Sequence, residues 1–211
     1  MEREILIISD SLLRSCEFIN AGFCVKWRPR TPFITEDGSS FSQPVRVHQI
    51  VMNGHTATEG FPTSYVTELF HQKGVNPSRI TEVLCVIGIN DFRNAWKTTA
   101  VQCCRVIRQF LESTAGFFHN ANIFWLGCGC LWQQPVQYNA RTNNKLLRGI
   151  TRCMQLWQRH RRLPERVYIR DAFRGFTDQD IMDKFGHLSY TGSRKLMRAM
   201  VSLIESFIEK K

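Results

Sequence analysis

The stretch Glu4-Ile5-Leu6-Ile7-Ile8-Ser9-Asp10-Ser11-Leu12 runs four large apolar residues straight into a small polar turn. A continuous apolar run rich in β-branched residues, with no alternation, is the pattern of a strand covered on both faces, as in a parallel sheet flanked by helices. The apolar residues that follow (Leu12, Leu13, Cys16, Ile19 and Phe23) recur at helical spacing and predict a first helix. Ser9 to Ser11 then sit where a strand ends and a helix begins, the edge at which open α/β sheets place their ligands. A hydroxyl there lies near the positive end of a helix dipole, among N–H groups that have no intrahelical partner. It serves either as a nucleophile or as an N-cap, and Ser and Asp are ordinary capping residues.

With 211 residues the chain is long enough for one well-buried α/β domain, and residues 1–211 are read as that single domain. Hydrophobic residues at 43% and charged residues at 22% fit an ordinary globular protein. No apolar run approaches the roughly 18 residues of a membrane helix. The amino terminus passes almost at once into strand one and shows no signal peptide, so the expected location is cytoplasmic. The eight cysteines fall mostly inside apolar patterns and read as buried free thiols. Cys103-Cys104 and Cys128-Gly129-Cys130 lack the paired spacing and neighbouring histidines of a zinc site, so no metal or other cofactor is expected. The net charge of +10 favours acidic partners, nucleic acid or anionic surfaces without choosing among them.

Strands and helices then alternate. Residues 24–46, rich in Pro, Ser and Arg, read as a long loop. Residues 45–52 alternate as a second strand ending at Asn53-Gly54-His55-Thr56, and 62–73 form a helix with Pro at its start and Gly74 past its end. A buried strand over 82–87 stops at Gly88-Ile89-Asn90-Asp91. A helix over 99–113, a strand over 123–126, a long helix over 139–161, a short strand over 167–169 and a last helix from Tyr190 to Lys210 complete the chain. This order predicts a three-layer α/β/α sandwich on a parallel sheet of about five strands with right-handed crossovers.

Acyl transfer by a serine hydrolase needs a nucleophile, a base, a group that orients the base and donors for the oxyanion. The strand ends converge on one edge and offer the Ser11 hydroxyl, the Gly54 N–H and the Asn90 side-chain amide. His187, just before the last helix, brings an imidazole whose unperturbed pKa of about 6.5 suits a general base. Asp183, four residues earlier, is placed to hold its other nitrogen. Turn and cap roles for Gly54, Asn90, Asp91 and His187 remain open at this point.

The set Ser9-Asp10-Ser11-Leu12, Gly54, Gly88-Ile89-Asn90-Asp91 and Asp183-Lys184-Phe185-Gly186-His187-Leu188-Ser189 resembles, in order and across the whole chain, the four blocks of the SGNH (GDSL-type) esterases and lipases. The resemblance implies a flavodoxin-like fold with Ser11 as nucleophile and His187 as base. It also implies an oxyanion hole made by Ser11, Gly54 and Asn90, and a small acyl ester as substrate. Two positions depart from the pattern. Ser9 stands where the first block usually begins with Gly, and Asp183 precedes His187 by four residues rather than three. Asp180 or Asp178 in its place, or a Ser-His dyad, are the alternatives.

Arg141, Lys145, Arg148, Arg152, Arg159, Arg161, Arg162 and Arg166 make a positive stripe on the long helix and its exit. It reads either as a solvated face or as a contact face for nucleic acid or an anionic surface. The second functional reading is therefore a catalytically impaired domain of this type that binds nucleic acid or a protein.

Overall fold

The computed structural model describes residues 3–19, 22–26, 34–36, 41–94, 99–129, 140–183 and 186–209. The chain begins with β1 (Arg3–Ser9), β2 (Cys16–Phe18), β3 (Cys24–Lys26), β4 (Ile34–Glu36) and β5 (Val45–Val51). Then come α1 (Thr63–Lys73), β6 (Ile80–Val86), α2 (Ile89–Asn94), α3 (Ala100–Phe117) and β7 (Asn122–Trp125). It closes with α4 (Ala140–Arg159), β8 (Val167–Ile169) and α5 (Tyr190–Ile208).

One all-parallel sheet orders its strands β3-β5-β1-β6-β7-β8. β1 is central: Ile5, Leu6 and Ile7 have no exposed surface and Ile8 has 1%, as the unbroken apolar run requires. The five predicted strands are all present, and the sheet gains β3 at one edge. On one face lie α1, α3 and α4. Phe70 of α1 meets Phe118 at 5.9 Å between ring centroids, and the Cys104 thiol of α3 reaches the Ile150 carbonyl of α4. On the other face α5 packs Phe207 against Phe124 of β7 at 4.5 Å. The result is the expected three-layer α/β/α sandwich.

Two sequence expectations need correction. The first helix is not formed: a single 3-10 turn, Ser11–Leu13, follows β1 and gives way to β2. The buried amide of Gln49 explains the switch. Its Oε1 accepts from Phe18 N at 3.2 Å and its Nε2 donates to Cys16 O at 3.0 Å, so β5 captures that backbone in extended form. Ile19, on the predicted apolar face, is instead 56% exposed. Second, 24–46 is not wholly loop. Its start joins the sheet as β3, and β4 pairs in parallel with β2 to form a small ribbon. Residues 27–33 and 37–40 of that stretch lie outside the described residues. The ribbon shares the α5 face: Cys16 Sγ approaches Ser193 O, and Ser42 is held by both carboxylate oxygens of Glu205.

The helix ends follow local chemistry. Thr99 and Gln102 form a capping box ahead of α3, and Gly74 ends α1 with φ 63°. Ser189 caps α5 by accepting from Gly192 N. Gly192 itself presses against the backbone carbonyl of Asp180, so a side chain there overlaps main-chain atoms. Gly192→Ala is therefore expected to lower stability by about 3 kcal/mol, read as a shifted midpoint in urea unfolding.

Candidate active site

Sheet order reverses at β1: the chain runs from β1 outward to β5 and then crosses back to β6. The carboxyl ends of β1, β5 and β6 therefore border the crevice at which this topology binds ligands. Ser11 opens the 3-10 turn after β1 and is 6% exposed. The cap of that turn is Asp10, whose Oδ1 accepts from Leu12 N at 3.1 Å. The Ser11 hydroxyl is thus not the capping group.

Gly54 follows β5 with φ 81°, a conformation that favours glycine. Asn90 is buried, and its Nδ2 donates to His55 O at 3.0 Å. Asp91 reaches the same loop: its carboxylate accepts from Ala57 N at 2.6 Å, Thr58 N at 2.9 Å and Thr58 Oγ1 at 2.7 Å. Two adjacent side chains of the β6 exit thus hold the β5 exit, so Gly54 and Asn90 are fixed relative to one another. His55 adds to the clamp through Gly60 O at 2.9 Å and Glu59 at 3.3 Å. The Thr56 N–H beside it holds the Glu59 carboxyl below its usual range.

Asp183 and His187 meet as an ion-pair-like couple. His187 Nδ1 lies 2.6 Å from Asp183 Oδ2, and His187 N donates to Asp183 Oδ1 at 3.2 Å. The four-residue spacing closes through a turn in which Gly186 N donates to Asp183 O at 3.0 Å. Met182 N donates to His187 O at 2.7 Å, and an antiparallel bridge joins Ile181 to Leu188. Residues 184 and 185 lie outside the described residues. Of the other acidic candidates, Asp180 is committed elsewhere. It is fully buried; that burial opposes ionisation, but Lys195 Nζ at 2.7 Å and Thr177 N at 2.7 Å outweigh it and lower the carboxyl's pKa.

Among the described residues, hydrogen bonds tie His187 to Asp183. What links the pair to the β1 exit is Arg14, three residues beyond Ser11, whose Nη2 lies 4.0 Å from Asp183 Oδ2. Arg14 and the Asp91 clamp carry no signal in the sequence. Cys128, at the end of β7, competes poorly as a nucleophile because burial drives its thiol pKa well up, and burial likewise pushes Cys103 to about 11. The seven described cysteines are free thiols, and Cys130 lies outside the described residues.

Along the positive stripe, Lys145, Arg148, Arg152, Arg159, Arg161 and Arg162 are exposed, whereas the Arg141 side chain lies outside the described residues. Arg166 leaves the stripe: it donates to the carbonyls of Phe118, Ala121 and Ala115 and so caps the end of α3. Among the described residues no group of His, Cys, Asp and Glu forms a metal site, and no helix is long and apolar enough to cross a membrane.

The three-layer α/β/α fold is shared with solved esterases and acylhydrolases. The chain is similar to an aryl esterase of M. smegmatis, with a TM-score of 0.64 at 14% identity over 97% of this chain and 99% of that one. It is similar to Est24, a carbohydrate acetylesterase from Sinorhizobium meliloti, with a TM-score of 0.61 at 11% identity, covering 98% and 100%. It also matches a lipase/acylhydrolase from Enterococcus faecalis, with a TM-score of 0.57 at 14% identity, covering 97% and 96%. No family model and no curated protein sequence matches it.

The Asp91 clamp makes a direct prediction. Asp91→Ala strands two backbone N–H groups and is expected to cost about 3 kcal/mol of stability, measured by denaturant unfolding against wild type.

Proposed function

We propose that the protein is a serine esterase that cleaves a carboxylic ester through an acyl-enzyme. The observation that carries this reading is the Asp183–His187 couple at 2.6 Å, set beside the first turn after Ser11 by Arg14. The carboxylate orients the ring through Nδ1, and Nε2 is assigned the proton transfer. Ser11 Oγ attacks the ester carbonyl carbon while His187 takes its proton. The developing oxyanion is met by the Ser11 and Gly54 N–H groups and by the Asn90 amide, one of whose two hydrogens serves the His55 carbonyl. Collapse expels the alcohol, which takes the proton back from His187. Water activated by the same imidazole then releases the acid from Ser11. The esterases and acylhydrolases of matching fold agree with this chemistry.

The test is turnover of short-chain p-nitrophenyl esters by wild type and by Ser11→Ala. Hydrolysis should vanish in the variant. In wild type it should fall toward acid pH, because a protonated His187 accepts no proton from Ser11. Asp183→Asn should lower kcat by about a hundredfold or more while leaving the unfolding midpoint close to wild type. Wild-type turnover that Ser11→Ala leaves intact refutes the reading.

A second reading, a binding module of this fold, draws on the exposed row Lys145, Arg148, Arg152 and Arg159 of α4. It predicts salt-sensitive binding of RNA that Ser11→Ala leaves unchanged.

A further inference from the structure

A cavity of about 440 Å³, within the size range of small-molecule sites, opens on the same edge of the sheet as Ser11. Its floor is Gly127-Cys128-Gly129 at the exit of β7. Strand order places β7 two positions from β1, a separation of about 10 Å at the usual strand spacing. The floor is continuous with the candidate site. A Cβ on Gly129 would meet Leu12 Cδ1 at 3.0 Å and Ile89 Cδ1 at 3.1 Å, the residues next to Ser11 and Asn90.

One wall is a single face of α4, with Arg148, Thr151, Arg152 and Gln155 at helical spacing. The facing wall is the turn after β8, which contributes Arg174, two carboxylates (Asp171 and Asp178) and the Phe173–Phe176 ring pair at 5.1 Å. Asp171 spends part of its acceptor capacity on Phe173 N at 3.2 Å. Three guanidinium groups against two carboxylates leave the mouth positive. Guanidinium forks match the planar or tetrahedral oxygens of a carboxylate or phosphate. A plain aliphatic chain would find Leu147 and the phenylalanines, but it would leave this charged rim without a use.

We propose that this cavity is a subsite for a compact oxyanion, a carboxylate or phosphate, carried by the ester substrate and gripped by Arg152 and Arg174. As a substrate subsite it rests on the esterase reading above, and that reading makes acidic esters the preferred class. The scissile carbonyl at Ser11 and the anion are then separated by at least the two strand spacings between β1 and the cavity floor, or about 10 Å.

Two measurements separate this proposal from the one it rests on. The first is binding of inorganic phosphate to the Ser11→Ala protein by calorimetry, which needs no turnover. Arg152→Gln and Arg174→Gln, added singly, are each expected to weaken binding by about tenfold, the size of one charge-assisted hydrogen bond. Arg198→Gln, an exposed change on α5 across the sheet, should leave it unaltered. Equal binding in all variants removes the arginines from the site, and an equal loss in Arg198→Gln reduces the effect to net charge; either result overturns the subsite. The second is kcat/KM for the mono-p-nitrophenyl ester of a dicarboxylic acid against the neutral ester of the same length. The acidic ester should be favoured, and the preference should shrink by about tenfold in Arg152→Gln. Turnover without any preference overturns the substrate assignment. Arginine-dependent phosphate binding with no turnover of either ester keeps the anion site and discards the esterase reading.

Discussion

β1 must lie between two strands that the chain reaches in opposite directions, and that requirement organises the molecule. Arg3 pairs with Val45 on one side and Glu4 with Ile80 on the other, so the exits of β5 and β6 flank the exit of β1. A strand in this position needs apolar side chains toward both layers, which Ile5 to Ile8 supply. The chain leaving it turns at once, because Asp10 caps a 3-10 turn. The crevice that results is lined by three short turns rather than by long loops. The exits of β5 and β6 are cross-tied by hydrogen bonds between the buried side chains of Asn90 and Asp91 and backbone groups of the β5 exit.

The two ends of the sheet use charge differently. At the amino ends, Glu4 is buried and fully engaged, with Arg79 at 2.7 Å and His48 at 3.2 Å, and Arg3 meets Glu82 at 3.2 Å. These are paired charges in a structural role. At the carboxyl ends the Asp183 side chain keeps 31% exposure and the His187 side chain 14%, in a loop on the surface. This carboxylate and imidazole are held together yet remain open to water, unlike the buried pairs at the amino ends.

What the sequence made legible depended on local signals. Apolar runs located all five expected strands, and Pro62, Gly74 and Thr99 marked helix ends because capping chemistry is local. The first helix failed for a physical reason: the spacing of Leu12, Leu13, Cys16 and Phe23 also suits a chain that turns and then extends. The choice was made by Gln49, some thirty residues away. Asp183 and His187 were legible as types, but their closure depended on the turn at Gly186. Asp91 looked like a local cap and instead serves the neighbouring loop. Arg14, Arg166 and the arginines around the cavity acquire their meaning only from strand order.

The central place of β1 also bears on how the chain is made. Ile5 to Ile8 leave the ribosome before β5, and well before Ile80 brings the partner on the other side. At ordinary translation speed both edges stay uncovered for several seconds until β5 is made, and the edge that pairs with β6 for several seconds more. Its β-branched, uncharged run is the kind of segment that nascent chains most readily pair with one another. Pairing of this strand with its own β5 and β6 therefore has to win against pairing between nascent chains.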